Sequence, residues 1–205
     1  MENTHRISTY CLIRNNKVIC DSEIRFSVEK SVSTSDFFKE LYRYQSLEYP
    51  KFHKMDLLCK GSFLATEFIV EKQPITGQNV PLIISNFSSS GVSDSKHAQM
   101  IYREEDALAS PSVFVYTLPN ILMGEISIRH KLHSENIFYI FDSFNAGFLT
   151  KYNEQILASG KAEKILSGWV EVTEESFDIF LYLVEKKGKY LHSKEQILEL
   201  YKQKL

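Results

Sequence analysis

The run Asn136-Ile-Phe-Tyr-Ile-Phe-Asp142 constrains the fold of this chain more than any other stretch. It is too short for an independent helix and does not alternate polar with apolar residues. Segments with helical spacing flank it: Leu118, Ile121, Leu122, Ile128 and Leu132 before it, and Phe148, Tyr152 and Ile156 after it. A nearly all-apolar strand belongs in a sheet covered on both faces, and strands that alternate with helices build layered α/β folds. The expectation is a central strand within an α/β/α domain.

The same form occurs upstream. Val80-Pro-Leu-Ile-Ile-Ser85 reads as a buried strand that enters a polar Ser88-Ser-Ser-Gly-Val-Ser-Asp94 loop and then a helix over residues 94–105. Leu57, Leu58, Gly61, Leu64, Ala65, Phe68 and Ile69 share one broad face of a helix over residues 55–70. Further strands are expected at 7–14, at 18–20 as its hairpin mate past Asn15-Asn16, at 164–172 and at 177–184. Ser35-Asp36 is expected to cap a short helix, and Ser193-Lys-Glu-Gln196 has the spacing of a capping box that opens a closing helix. Together these give a central mixed five-stranded sheet. Residues 1–172 form the main domain, and 173–205 supply a last strand and helix packed on it.

Composition excludes several functions. The chain is 43% hydrophobic and 13% aromatic, which excludes disorder. Its 24 basic residues are balanced by 26 acidic ones with no basic stripe, so nothing favours nucleic acid or an anionic membrane as partner. No apolar run approaches the roughly 20 residues that span a bilayer, and the first residues do not order as a secretory signal. A cytoplasmic, soluble protein without a membrane span is expected.

No cofactor is expected either. Cys11, Cys20 and Cys59 form no C-x-x-C pair and read as buried reduced thiols rather than metal ligands. Ser88-Ser-Ser-Gly91 could cradle an anion on backbone N–H groups or be a solvated turn, and it lacks the Gly spacing and Lys of a phosphate loop. Glu104-Glu105-Asp106 reads as a solvated helix end, and His5, His53, His97 and His192 are scattered.

From Gly124 to Glu171 the sequence resembles the N-terminal half of a β-ketoacyl synthase of the thiolase-like superfamily. Gly124, Ile126, Ile128 and Leu132 fit the helix before the strand, Asn136 fits the turn into it, and Gly160-Lys-Ala162-Glu163 with Gly168 and Glu171 matches the later glycine and acidic positions. Lys54-Met55-Asp56 and Ile83-Ile-Ser-Asn86 are weaker echoes. The segment from Ser110 to Asn120 resembles the variant found in synthase-like proteins of aryl-polyene and flexirubin-type pathways. The resemblance implies half of a thiolase-like fold that associates as a homodimer, or as a heterodimer with a complete ketoacyl synthase, with an acyl carrier protein as a further partner.

In that family a Cys at the strand-to-helix turn carries the acyl group and two His residues from the second half assist decarboxylation. The gap-free alignment places Ser143 at the nucleophile position, and a one-residue slide places Phe144 there. The Cys is absent in either register, and 205 residues leave little room for a second half. Ser143 is read first as the N-cap of the next helix. Its alternative is a nucleophile, which would need a base such as His130 or His133 beside it. Tyr116, Met123, Phe144 and Asn145 are candidates for an acyl pocket, although Met and aromatic residues also fill cores. Three functions follow from this reading. The first is a catalytically silent synthase-like partner or acyl-chain sensor in fatty acid or polyketide biosynthesis. The second is an enzyme, either a Ser-dependent acyltransferase or thioesterase or a synthase completed by a second chain. The third is a generic α/β ligand-binding domain.

Overall fold

A computed structural model describes residues 5–29, 32–102 and 110–203. The chain opens with strands β1 (Arg6–Arg14), β2 (Lys17–Cys20) and β3 (Glu23–Ser27), joined by two-residue turns at Asn15-Asn16 and Asp21-Ser22. Helix α1 (Thr34–Tyr44) follows, then a 3-10 turn at Pro50–Lys54 and the long helix α2 (Leu57–Lys72). Next come β4 (Leu82–Asn86), α3 (Gly91–Tyr102), the short α4 (Pro111–Val115), α5 (Ile121–His130), β5 (Asn136–Ile140) and α6 (Ala146–Ala158). The last elements are β6 (Lys164–Val172), β7 (Phe177–Glu185), the two-residue β8 (Tyr190–Leu191) and α7 (Lys194–Tyr201).

The strands form one mixed sheet in the order β3-β2-β1-β7-β6-β4-β5, with β8 pairing with β1. It has eight strands where the sequence suggested five. Its centre is β5-β4-β6-β7-β1, in which β4 runs parallel to both β5 and β6, and β7 runs antiparallel to β6 and β1. β2 and β3 continue the sheet outward as hairpins. β3 carries no strong strand signal in the sequence, because Glu23-Ile-Arg-Phe-Ser alternates over a half-exposed edge and lacks an apolar run. The strand predicted to be central is instead terminal. Among the described residues β5 pairs only with β4, and its residues are half-exposed or exposed.

Alternation along the strands sends side chains into two cores, one per face. Ile179, Leu181 and Leu183 of β7 pack under α1, α2 and α5 with Phe38, Phe63, Leu122 and Ile126. Phe180, Tyr182 and Val184 pack on the other face with Leu149 and Ile156 of α6 and Ile197 and Leu200 of α7. This is the layered α/β/α arrangement. It requires close approach at Gly168, where a Cβ would lie 2.0 Å from the Phe180 carbonyl oxygen and φ is +153°. Only glycine fits there without displacing β7.

Candidate functional site

The turn between β5 and α6 carries the residues at the nucleophile-equivalent position. The Phe141 N–H donates to the Asn86 carbonyl at 2.9 Å, so the turn leaves the sheet in line with β4. Asn145 then caps α6, its Oδ1 accepting from the Phe148 N–H at 3.0 Å. That corrects the expectation of a Ser143 cap. The helix starts two residues later than Ser143 implies, and an Asn side chain reaches the N3 amide from the N-cap position.

Ser143 is exposed at the mouth of a shallow cleft of about 390 Å³, which Asp142, Asn145, Gly147, Lys194 and Leu198 help to line. No described residue hydrogen-bonds to its hydroxyl, and no His lines the cleft. Phe144 anchors the turn, its ring lying 4.5 Å from Tyr201, 5.7 Å from Phe180 and 6.2 Å from Trp169.

Tyr116 and Met123 lie elsewhere. Met123 is 2% exposed, in the core of the opposite face of the sheet. The Tyr116 hydroxyl donates to Glu125 Oε1 at 3.3 Å, and Lys51 meets the other oxygen of that buried carboxylate at 2.7 Å. Burial, with the Glu125 charge close by, pushes the Tyr116 hydroxyl well above its ordinary range, so it stays a neutral donor. The four residues proposed for an acyl pocket therefore fall into two groups. Phe144 and Asn145 flank Ser143, whereas Tyr116 and Met123 pack with α5 on the other face.

The histidines also separate from Ser143. His130 Nε2 lies 3.0 Å from Glu67 Oε1 on α2 and its Nδ1 lies 3.4 Å from Thr76 Oγ1. His53 stacks edge-on against Tyr42, and His97 packs on Phe114. His5 and His192 converge on one carboxylate, Glu154 of α6, at 2.8 Å and 2.6 Å. This grouping joins residues far apart in the sequence, and no local spacing announces it.

The Ser88 loop does form an anion cradle, and the protein's own Glu171 fills it. Glu171 Oε2 accepts from the Phe87 N–H at 2.8 Å and the Ser88 N–H at 3.1 Å, while Oε1 accepts from the Ser88 hydroxyl. The acidic position singled out by the family resemblance thus closes the loop after β4. The Glu104 to Asp106 acidic run lies outside the described residues.

The most distinctive surface is the outer edge of β5. Asn136-Ile-Phe-Tyr-Ile140 contains no charge and no proline, the devices that normally guard an unpaired strand. Four half-buried rings line its flank: Tyr139 lies 5.7 Å from Phe141 and 4.8 Å from Phe148, and Phe148 stacks on Tyr152 at 5.8 Å. Exposed Ile140 (52%) and, on α5, Ile128 (63%) add apolar surface. The edge at the other end of the sheet is guarded, since β3 carries Glu23 and Arg25.

No protein-family model matches the sequence, and no curated protein matches it either. Solved structures do. The chain superposes on the ishigamide ketosynthase/chain length factor with a TM-score of 0.63 at 14% identity, covering 88% of this chain and 62% of that one. It also superposes on a chain of the ketosynthase ApeO in complex with its chain length factor ApeC from Xenorhabdus doucetiae, with a TM-score of 0.60 at 12% identity. That match covers 96% of this chain and 90% of the other, so the two are close in length, whereas this chain spans less than two thirds of the ishigamide protein. These superpositions bear out the fold expected from the sequence: the chain has the thiolase-like fold of those ketosynthase and chain-length-factor structures.

Proposed function

We propose that this chain is a non-catalytic, chain-length-factor-like subunit that joins a complete ketosynthase of a polyketide pathway of the aryl-polyene type. The observation that carries the reading is the unguarded β5 edge with its flanking rings. A strand added there gains backbone hydrogen bonds along Asn136–Ile140 and buries apolar surface in the same step. Two further observations support it. Ser143 lacks the acidity of a Cys, no described residue hydrogen-bonds to its hydroxyl and no His lines its cleft, which supports a turn that does not act as an acyl-transfer nucleophile. One superposed structure is of a ketosynthase bound to its chain length factor, and the superposed chain there is close to this one in length. On this reading the ketosynthase supplies the Cys and His residues, and this chain supplies a matching sheet edge and part of the surface around the growing acyl chain.

The test is co-purification with a Cys-bearing ketosynthase from the same organism, followed by light scattering. A 1:1 complex is expected. Ile140→Lys, at the open edge, should abolish it, and Ile24→Lys, on the guarded edge, should leave it intact. No complex with the wild-type chain, or equal loss from both substitutions, would overturn the proposal.

A further inference from the structure

We propose that Cys11 and Cys20 are a redox pair that closes into a cross-strand disulfide and reopens on reduction. The two residues are directly opposite one another in the register of β1 and β2. The flanking turns fix the kind of opposition. Asn15 and Asn16 have φ of 51° and 56°, and Asp21 and Ser22 have φ of 52° and 74°. Two successive positive φ values mark the two-residue hairpin turn in which the flanking residues exchange backbone hydrogen bonds. Those flanking pairs are Arg14 with Lys17 and Cys20 with Glu23.

Bonded and non-bonded pairs alternate along an antiparallel ladder. Counting from Arg14 and Lys17, the pair Ile13 and Val18 is non-bonded, Leu12 and Ile19 bonded, and Cys11 and Cys20 non-bonded. The second turn gives the same answer independently: the backbone groups of Cys20 point toward Glu23 and so away from β1.

Non-bonded partners have Cα atoms about 4.5 Å apart with their side chains at closest approach, and disulfides span Cα separations of about 4.4–6.8 Å. The pair is within bridging reach at the short end of that range, where a bond is strained and easily reduced. Burial, with the Cys20 thiol close by, holds the Cys11 thiol well above its ordinary range, so attack has to start from a locally opened strand. Cys20 is placed for that role. It ends β2 beside the Asp21-Ser22 turn, next to the edge strand β3, whereas Cys11 lies in β1 between β2 and β7. Cys59 stands apart in the first turn of α2, its thiol beside Asp56.

With a peroxide as oxidant, the Cys20 thiolate attacks one peroxide oxygen to give a sulfenic acid and release one water. The Cys11 sulfur then displaces the hydroxyl as a second water and forms the S–S bond. The two thiols lose two electrons and two protons, and hydrogen peroxide takes them up.

The experiment exposes the native chain to hydrogen peroxide, quenches, unfolds and alkylates it, and reads intact mass and a non-reducing peptide map. The expected product is lighter by about 2 Da before alkylation. It takes up one alkyl group, at Cys59, where the reduced chain takes up three. It yields a linked peptide pair containing Cys11 and Cys20, and dithiothreitol restores the reduced chain. Cys11→Ala and Cys20→Ala should each abolish the linked pair. The proposal is overturned if all three thiols remain alkylatable at a peroxide dose that cross-links the urea-unfolded chain, or if the link formed contains Cys59. The outcome is independent of any ketosynthase partner.

Discussion

Ser143 and Asn145 stand two residues apart on one turn and differ in what they hold. Asn145 satisfies an amide at the start of α6, whereas the Ser143 side chain faces solvent without a hydrogen bond to any described residue. Asn145→Ala should therefore cost about 1 kcal/mol of unfolding free energy, the usual value of a lost N-cap. Ser143→Ala should stay within about 0.5 kcal/mol of wild type, as expected at an exposed site. Urea denaturation checks both. Intact mass after incubation with acyl-coenzyme A should show no adduct on either the wild-type chain or the Ser143→Ala variant. An acyl adduct that disappears with Ser143 would favour the enzymatic reading instead. The sequence placed the residues on this turn but assigned the cap wrongly, because Ser and Asn compete as caps and the chain geometry chooses between them. Glu171 was legible only as an acidic position. Its engagement of the Phe87 and Ser88 amides depends on β6 lying beside β4, a pairing between strands more than 80 residues apart in the chain.

At the scale of elements, local signals were read best. The Ser193 cap with its bond from the Gln196 N–H, the Asn15-Asn16 hairpin and the face of α2 all rest on residues within a few positions of one another. What failed was the position of β5. An apolar strand looks the same whether a neighbouring strand or a separate partner covers it, so the residues could not say which. Clusters assembled from distant elements were invisible for a similar reason. Glu154 on α6 ties His5 at the start of β1 to His192 between β8 and α7, and Glu67 on α2 ties Arg129 and His130 at the end of α5. Burial opposes the ionisation of both carboxylates, but the hydrogen bonds from their partners outweigh it and hold both below the ordinary carboxyl value of 4.5. A lowered carboxyl contributes stability that is complete above its unfolded value and is lost as pH falls through the folded one. Unfolding free energy should therefore decline from just above pH 4.5 downward. Glu154→Gln should flatten that decline, which thermal melts at stepped pH would register; an unchanged slope in this variant would remove Glu154 from the cause.

For the whole molecule, the contrast between its two sheet edges matters most. β3 carries charges on its edge, while β5 presents backbone unpaired among the described residues and flanked by rings and by Ile140. A single edge accepts a single strand, so pairing with a second copy and pairing with a ketosynthase exclude one another at β5. The isolated chain should accordingly self-associate in a concentration-dependent way at micromolar levels. Titrating in the ketosynthase should replace the self-dimer by a 1:1 complex, with no species holding two copies of this chain and one of the enzyme. Sedimentation velocity across the titration separates these cases by mass. Ile140→Lys should abolish the self-dimer and the complex together, since both draw on the same backbone and the same apolar surface. A ternary species, or a self-dimer that survives saturating ketosynthase, would mean that the two contacts use different faces and that β5 is not the edge they share.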